Sequence, residues 1–365
     1  MRILFGTLRG HVPEQLGGSQ QSIHALLQAL LERGHDCEAV ATIQPGPRLL
    51  LYRAIRRLSG RRAFGLKDRR NGYPTYRAWN EFVPELLGAR VDAHRPDLVV
   101  ADFSVENPIL PEALARRVPT LLRISRMWSA ERQIGIPRDP FLQAYSNSVF
   151  MASRARVQYG IETPVIYPPI DVGRFRTARR DPQCVTFFNP IGIKGIDTVL
   201  ELAARLPHRR FQVVEVLRLP SAALDDLRAR LTMLPNVTFC RAARDVRPVY
   251  SNTLLLLVPS QWEEPFGRVV VEAQSSGIPC IARDVGGLAE AVGAGGVLMP
   301  PSAGPLEWAE AVESVLENRD RLAVLSEAAS RNAERPEFSL EHHVRQFVAL
   351  AESHVAAVTR SGATA

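Results

Sequence analysis

Short apolar runs alternate with longer amphipathic stretches along the whole chain. Runs at 2–7, 36–43, 97–101, 119–124, 147–151, 184–189, 210–216, 236–240, 253–258, 279–282 and 296–299 predict strands. Stretches at 19–33, 195–206, 221–232, 264–276 and 305–317 predict helices. Many of the strands are almost continuously apolar, as in Thr253-Leu254-Leu255-Leu256-Leu257-Val258. That is the pattern of parallel strands covered on both faces. Alternating strands and helices of this kind predict doubly wound α/β sheets, whose ligands lie beyond the carboxyl ends of the strands. A proline- and arginine-rich passage at 167–182 lacks periodicity and divides the chain into similar halves, 1–175 and 183–335. Within 336–365 a final helix is expected to dock back through Phe338, Phe347, Leu350, Ala351, Val355 and Val358, with a frayed tail after Thr359.

Composition narrows the class. A chain of 365 residues with 46% hydrophobic and 23% charged residues buries two ordinary cores and is not a disordered chain. No apolar run approaches the ~20 residues of a membrane-spanning helix. The apolar start at 1–7 is too short for a secretory leader, so a cytoplasmic protein is expected. Cys37, Cys184, Cys240 and Cys280 are isolated, which fits reduced thiols and neither a disulfide framework nor a zinc site. Lys67 and Lys194 are the only lysines among 45 basic residues.

Charge is concentrated in one place. Arg53, Arg56, Arg57, Arg61, Arg62, Lys67, Arg69 and Arg70 face one acid, Asp68, a balance equal to the +7 formal charge of the chain. The remainder is neutral, which argues against a nucleic-acid partner. The segment reads either as a solvated charged loop or as a surface for an anionic partner. Such a partner is a phosphorylated acceptor or the inner face of a membrane, with Leu51, Tyr52 and Phe64 adding shallow apolar contacts.

Three loops carry candidate chemistry. In the first, an apolar strand ends at Pro259, and Ser260 to Gly267 lead into a helix, with Glu264 at the loop tip and Glu272 about two turns into the helix. Free N–H groups at a helix start suit a phosphate or polyol, although an acid near a helix amino terminus is also favoured on its own account. The second loop runs from Phe187 through Asn189 to Lys194-Gly195, again between a strand and a helix. In a chain that uses Arg almost everywhere, Lys194 reads as a phosphate cation rather than an incidental surface charge. The third is Leu16-Gly17-Gly18-Ser19, where the glycines admit a close ligand and equally fit a plain turn capped by Ser19. His11, just before it, reads as an acceptor contact or an exposed loop histidine.

Glu264 to Glu272 resembles the Glu-x7-Glu motif of retaining glycosyltransferases of family 4. The resemblance continues through 276–282 and Val285-Gly286-Gly287-Leu288-Ala289-Glu290, and includes the order of elements over 184–330 and the placement of Gly17-Gly18. It implies the GT-B fold, two doubly wound Rossmann-like domains facing a central cleft. It also implies a donor-binding carboxyl-terminal domain and an acceptor-side amino-terminal domain. The implied reaction is retaining sugar transfer from a nucleotide-diphosphate donor, UDP- or GDP-linked, with no cofactor. The absence of any Asp-x-Asp agrees with metal-independent chemistry.

By the same resemblance Glu264 holds hydroxyls of the transferred sugar, and Pro265, Phe266 and Gly267 bring backbone groups to it. Glu272 accepts from the donor ribose, and Lys194 meets the diphosphate. The family places an Arg five residues before that Lys; here Asn189 stands there, and Arg268 or Arg218 is the candidate replacement. A family histidine near the sugar is also missing: the corresponding 121–128 stretch offers Arg123 and Arg126 on the acceptor side. The alternative is a sugar-nucleotide-binding homologue that does not transfer.

Overall fold

Along each buried strand, successive side chains enter opposite faces of a sheet, so a continuously apolar run feeds two cores at once. The computed structural model describes residues 1–60, 63–103, 108–126, 135–178, 180–216, 218–241 and 245–362. The chain divides into two α/β units, one of residues 1–169 with 340–365 and one of residues 170–339.

The first unit holds β1 (Arg2–Gly6), β2 (Asp36–Thr42), β3 (Leu66–Asp68), β4 (Thr75–Ala78), β5 (Leu98–Asp102), β6 (Thr120–Ile124) and β7 (Leu142–Ser146). Its helices are α1 (Gly18–Glu32), α2 (Pro47–Ser59), α3 (Val83–His94), α4 (Ile109–Leu114) and α5 (Val149–Tyr159). The sheet order is β3-β4-β2-β1-β5-β6-β7, and β3 alone runs antiparallel to its neighbour. The order reverses between β1 and β5, which makes their carboxyl ends the ligand crevice of this sheet. Leu4, Val40, Val99 and Leu122 pack on one face, and their chain neighbours Ile3, Ala39, Val100 and Leu121 on the other.

The second unit holds β8 (Cys184–Phe188), β9 (Arg210–Val214), β10 (Val237–Cys240), β11 (Thr253–Val258), β12 (Cys280–Arg283) and β13 (Gly296–Met299). They form a parallel sheet of order β10-β9-β8-β11-β12-β13, reversing between β8 and β11. Its helices are α6 (Val172–Phe175), α7 (Ile196–Arg205), α8 (Ser221–Leu231), α9 (Arg247–Asn252), α10 (Arg268–Gln274), α11 (Leu288–Val292), α12 (Pro305–Leu316) and α13 (Arg319–Ala333). The last helix, α14 (Leu340–Gly362), returns to the first unit. There Val344, Phe347 and Ala351 join Ile23, Leu27 and Leu30 of α1, and the Phe347 ring meets Tyr145 edge-on at 6.2 Å.

Four expectations are corrected. The strand expected at 147–151 lies earlier, as β7, because Ser148 caps a helix there: its side chain accepts from the Met151 amide. Helical structure continues past Thr359 to Gly362. The helix expected from 264 begins at Arg268, so Glu272 sits little more than one turn inside it. Among its described residues the basic segment is largely helix and strand rather than a solvated loop. Arg53, Arg56 and Arg57 lie on α2, which buries Leu49 and Tyr52, and Gly60 closes the helix in a left-handed conformation.

Several of those charges are also in use. The Arg56 guanidinium lies 3.5 Å from the centre of the Phe82 ring, Arg53 stands over Trp79, and Lys67 over Tyr76. Arg48, Arg70 and the fully buried Arg77 converge on Asp68 and Glu14. Burial alone would raise the Asp68 carboxyl, but hydrogen bonds from Arg70, Arg77 and Arg48 hold it at about 2. Arg61 and Arg62 lie outside the described residues.

Candidate active site

Because β8 and β11 are neighbours at the point where the strand order reverses, the loops that follow them meet above the sheet. The meeting is close. Gly195 has φ +89°, and a Cβ there would lie 2.2 Å from the Pro259 carbonyl oxygen, so only glycine lets the two loops touch. The Gln261 amide donates to the Ile193 carbonyl at 2.9 Å across the same seam. This contact sets Lys194 against Glu264: the Lys194 Nζ donates to Glu264 Oε1, and the Ser260 Oγ donates to the same oxygen at 3.0 Å. From the other side the loop after β12 presses on Glu264. Gly286 has φ +63°, a Cβ there would meet the Glu264 carbonyl oxygen at 2.4 Å, and the Gly287 amide donates to that oxygen at 2.6 Å.

On α10 the Arg268 guanidinium donates to Glu272 Oε1, at 3.2 Å from Nε and 3.0 Å from Nη2. Both glutamates of the motif therefore carry a cation partner and remain partly accessible. Phe266 is buried against Phe338, ring centres 5.3 Å apart, which anchors the loop between the glutamates. Asn189 ends β8 with φ +67°, and its amide donates to the Val214 carbonyl. Arg218 is exposed beyond β9, and no hydrogen bond or ion pair joins it to Lys194 or Asn189 among the described residues.

In the first unit the centre is Asp102 at the end of β5. Its Oδ1 accepts from Arg123 Nη1 at 2.7 Å and from the Ser125 hydroxyl at 3.3 Å, and its Oδ2 from the Thr7 hydroxyl at 3.5 Å. Arg123 also donates to Ser19 Oγ at 3.0 Å, which ties the Gly17-Gly18 turn to the strand ends. The turn is not capped by Ser19. Gly17 is the N-cap of α1 and offers no side chain, so the first N–H groups of the helix keep no side-chain cap.

The acceptor-side set therefore divides. Arg123 is buried and committed to Asp102 and Ser19, a positioning residue rather than an open contact. Arg126 is partly buried at the end of β6. His11 is corrected outright: it is fully buried, its Nε2 2.7 Å from the Tyr73 hydroxyl, and His24 Nδ1 approaches the same hydroxyl at 3.0 Å. Burial, helped by the Arg77 charge, lowers the His11 ring to about 3, so it stays neutral and is not an exposed loop histidine. The residues 127 and 128 of the stretch where the family histidine was sought lie outside the described residues. Sequence reasoning passed over Ser260 and Asp102, which were signalled by polar side chains at the ends of apolar strands.

Two doubly wound units with ligand-binding loops at their switch points define the GT-B class of glycosyltransferase fold. Solved structures agree across nearly the whole chain. Sucrose-phosphate synthase from Thermosynechococcus elongatus superposes with a TM-score of 0.76 at 18% identity, over 97% of this chain and 99% of that one. Anabaena HepE in complex with UDP-glucose superposes with a TM-score of 0.74 at 20% identity, over 97% of this chain and 100% of that one. Residues 184–318, which contain Lys194, Glu264 and Glu272, match the model of the family Glycosyl transferases group 1. Among curated relatives, the D-inositol 3-phosphate glycosyltransferase of Rhodococcus opacus is 34% identical over 207 residues, 49% of this chain and 45% of that protein. The enzyme of the same name from Rhodococcus erythropolis is 30% identical over 272 residues, 67% of this chain and 58% of that protein. The chain spans about half the length of the curated relatives it matches.

The buried His11 makes a testable contribution to stability. An unfolded chain protonates this ring below about pH 6.5, whereas the folded chain resists until about 3. The folded state then binds fewer protons than the unfolded state. Its stability is full above pH 6.5 and falls as pH drops toward 3, by up to about 1.4 kcal/mol per pH unit from this group. Urea melts between neutral and mildly acidic pH should show a shallower acid loss in His11→Gln than in the parent chain. An unchanged slope would remove His11 as its source.

Proposed function

We propose that the protein transfers a sugar from a nucleotide-diphosphate donor to an acceptor hydroxyl, with retention and without a metal ion. The observation that carries this reading is the pair of cation–carboxylate couples, Lys194 with Glu264 and Arg268 with Glu272, set on loops and a helix start beside the β8–β11 switch point. The names of the relatives, and neighbours solved with UDP and with UDP-glucose, support a nucleotide sugar. They also make a binder that does not transfer the less favoured reading.

In this reading Glu264 accepts from sugar hydroxyls, with Pro265, Phe266 and Gly267 supplying backbone groups, and Glu272 accepts from the two ribose hydroxyls. Lys194 meets the diphosphate, where negative charge grows as the bond from the anomeric carbon to the phosphate oxygen breaks. Arg268 is committed to Glu272, so Arg218 at the end of the neighbouring β9 is the cation we assign to the second phosphate, with the Asn189 loop shaping its approach. Gly17 and Gly18 leave the first amides of α1 open to an anionic ligand. The acceptor hydroxyl attacks the face the donor phosphate leaves, and its proton passes to the departing phosphate oxygen. The chain's task is positioning and charge stabilisation.

Incubating the purified chain with labelled UDP- and GDP-sugars, with and without D-inositol 3-phosphate and other hydroxyl acceptors, tests the reading. Transfer that survives chelation and keeps the anomeric configuration supports it; binding of donors with no transfer to any acceptor sinks it. Two substitutions test the roles. Glu272→Ala should weaken nucleotide binding by about 1.5–3 kcal/mol, the scale of a charge-assisted hydrogen bond, with Glu272→Gln recovering part. Unchanged affinity in both would remove the ribose assignment. Lys194→Ala should lower kcat/KM by roughly 100-fold, the cost of one transition-state electrostatic partner. Because Ser260 still donates to Glu264, its melting temperature without ligand should move little. Near-normal turnover would show that another group meets the diphosphate.

We also propose a peripheral membrane contact for the basic segment. No helix among the described residues is long and apolar enough to cross a membrane. Helix α2 nonetheless exposes Leu50, Leu51 and Leu58 beside Arg53 and Arg57, a face suited to an anionic lipid surface. Each such arginine contributes roughly 1 kcal/mol at an acidic bilayer. Flotation with anionic vesicles at low salt should recover the protein, and Leu50→Ser with Leu58→Ser and Arg57→Gln should abolish it. Failure of the parent chain to float would leave the helix a charged surface only.

A further inference from the structure

Helix α10 carries both members of the Arg268–Glu272 couple, yet it is only seven residues long. A helix of that length is not stable by itself, and its last carbonyls have no partner within it. At its start Gly267 supplies no side-chain cap. At its end the segment that opens the second unit lies against it. Arg176 Nε donates to the Ser275 carbonyl at 3.2 Å, the Thr177 amide donates to Ser276 Oγ at 3.0 Å, and that hydroxyl donates to the Phe175 carbonyl at 3.1 Å. Arg180 reaches further. Its Nη1 donates to the Ser276 carbonyl at 2.8 Å and to the Gly277 carbonyl at 3.3 Å, while its Nη2 donates to the Thr253 carbonyl at 2.7 Å. Thr253 is the first residue of β11, so one guanidinium joins the beginning of that strand to the end of the helix that follows it. Between the two ends lie Ser260, Glu264, Arg268 and Glu272.

Burial lowers the Arg180 guanidinium from its ordinary value, and among the described residues no carboxylate pairs with it. A desolvated charge without an acid is costly, and three bonds to main-chain oxygens, two of them just past a helix end whose dipole favours a cation, offset that cost. We propose that Arg180 is a positioning residue for the donor site: by fastening the end of α10 to the start of β11, it holds Glu272 in place relative to the loop that carries Glu264. Glu272 lies four residues before Ser276, one turn away, so slack at this end of the helix reaches its carboxylate directly. A second anchor keeps the helix in the fold when Arg180 is replaced. The buried Gln274 donates from Nε2 to the Val292 carbonyl at 2.9 Å, and its Oε1 accepts from Asn332 Nδ2 at 2.7 Å. The proposal rests on the ribose assignment of Glu272.

Hydrogen exchange and nucleotide titration, both on the full chain, test it. By mass spectrometry the amides of 268–277 should exchange about tenfold faster in Arg180→Met, while those of α7 in the same unit change by less than about twofold. Arg180→Lys, which keeps the charge and loses the planar fork, should fall between, and it carries the reading if the methionine variant fails to fold. Calorimetric titration of UDP against 2′-deoxy-UDP, and of GDP against 2′-deoxy-GDP, reads the consequence. For the base that binds, the parent chain should favour the ribonucleotide by about tenfold or more, the scale of a charge-assisted hydrogen bond, and Arg180→Met should cut that preference to about threefold or less. A purely structural loss would lower the melting temperature and leave the preference of the folded protein intact, and that outcome overturns the proposal. So does unchanged exchange in α10, or equal acceleration in α10 and α7. A parent chain that makes no distinction between ribose and deoxyribose, or binds no nucleotide, removes the ribose assignment and this role with it, and the exchange data then still read whether Arg180 holds α10.

Discussion

The contact of Gly195 with the carbonyl of Pro259 is the constraint on which the arrangement of Lys194 and Glu264 depends. It exists because β8 and β11 pair directly across the point where strand order reverses, and because one residue in the tighter loop has no side chain. Remove that closeness and Lys194 no longer reaches Glu264. With it, an ammonium and a carboxylate are held ready before any ligand arrives, and Ser260 keeps the carboxylate oriented. A site built this way loses little entropy on binding, because its side chains are already ordered. The Gly286-Gly287 turn completes the clamp by packing on the backbone of Glu264 from the far side. Three consecutive loops of one parallel sheet thereby fix a single carboxylate.

The first unit solves a different problem with similar means. Its switch point lies between β1 and β5, and a buried carboxylate, Asp102, ends β5 there. Instead of being presented to a ligand, that carboxylate is consumed in holding Arg123, which in turn holds Ser19 and the turn before α1. Beneath the same loop, Arg77 donates to the carbonyls of His11 and Val12 while its Nε meets Asp68. The loop after β1 is thus fixed from two sides by buried arginines. Such buried pairs add little net stability, since desolvation offsets their attraction, but breaking one leaves an uncompensated charge and costs several kcal/mol. Their use here is to fix where a glycine turn sits.

Much of this was readable from the sequence, and the failures share a cause. The continuously apolar strands announced two largely parallel sheets, and the Glu264–Glu272 spacing with Lys194 singled out residues on the loops and helix start beside the β8–β11 switch point, because those signals are local in the chain. What escaped depended on partners distant in sequence. His11 resembles an exposed loop residue until Tyr73 and His24 are brought to it. Arg56 resembles free charge until Phe82 packs beneath its guanidinium. The strand β7 was displaced by five residues because Val149 and Phe150 extend an apolar run that the Ser148 cap, a side chain to backbone interaction, turns into a helix. Asp102 carries no motif at all; its meaning comes from which strands are neighbours.

Asn189 shows how local geometry and charge become linked. The backbone there takes φ +67°, a left-handed conformation that asparagine adopts readily and that costs most other L-residues roughly 1 kcal/mol or more. The Ile191 amide donates back to the Asn189 carbonyl, and the Asn189 amide is spent on Val214, so the turn is built from main-chain bonds. An arginine at this position would add a cation at the end of β8 at the expense of strain in the turn that carries Lys194. The asparagine keeps the turn relaxed and leaves Lys194 as the loop's single cation. Other positive charge in this unit comes from neighbouring elements: β9, which pairs with β8, leads to the exposed Arg218, and α10 begins at Arg268. The residue at the end of the central strand thus settles at once the backbone conformation and the charge of the loop that carries Lys194.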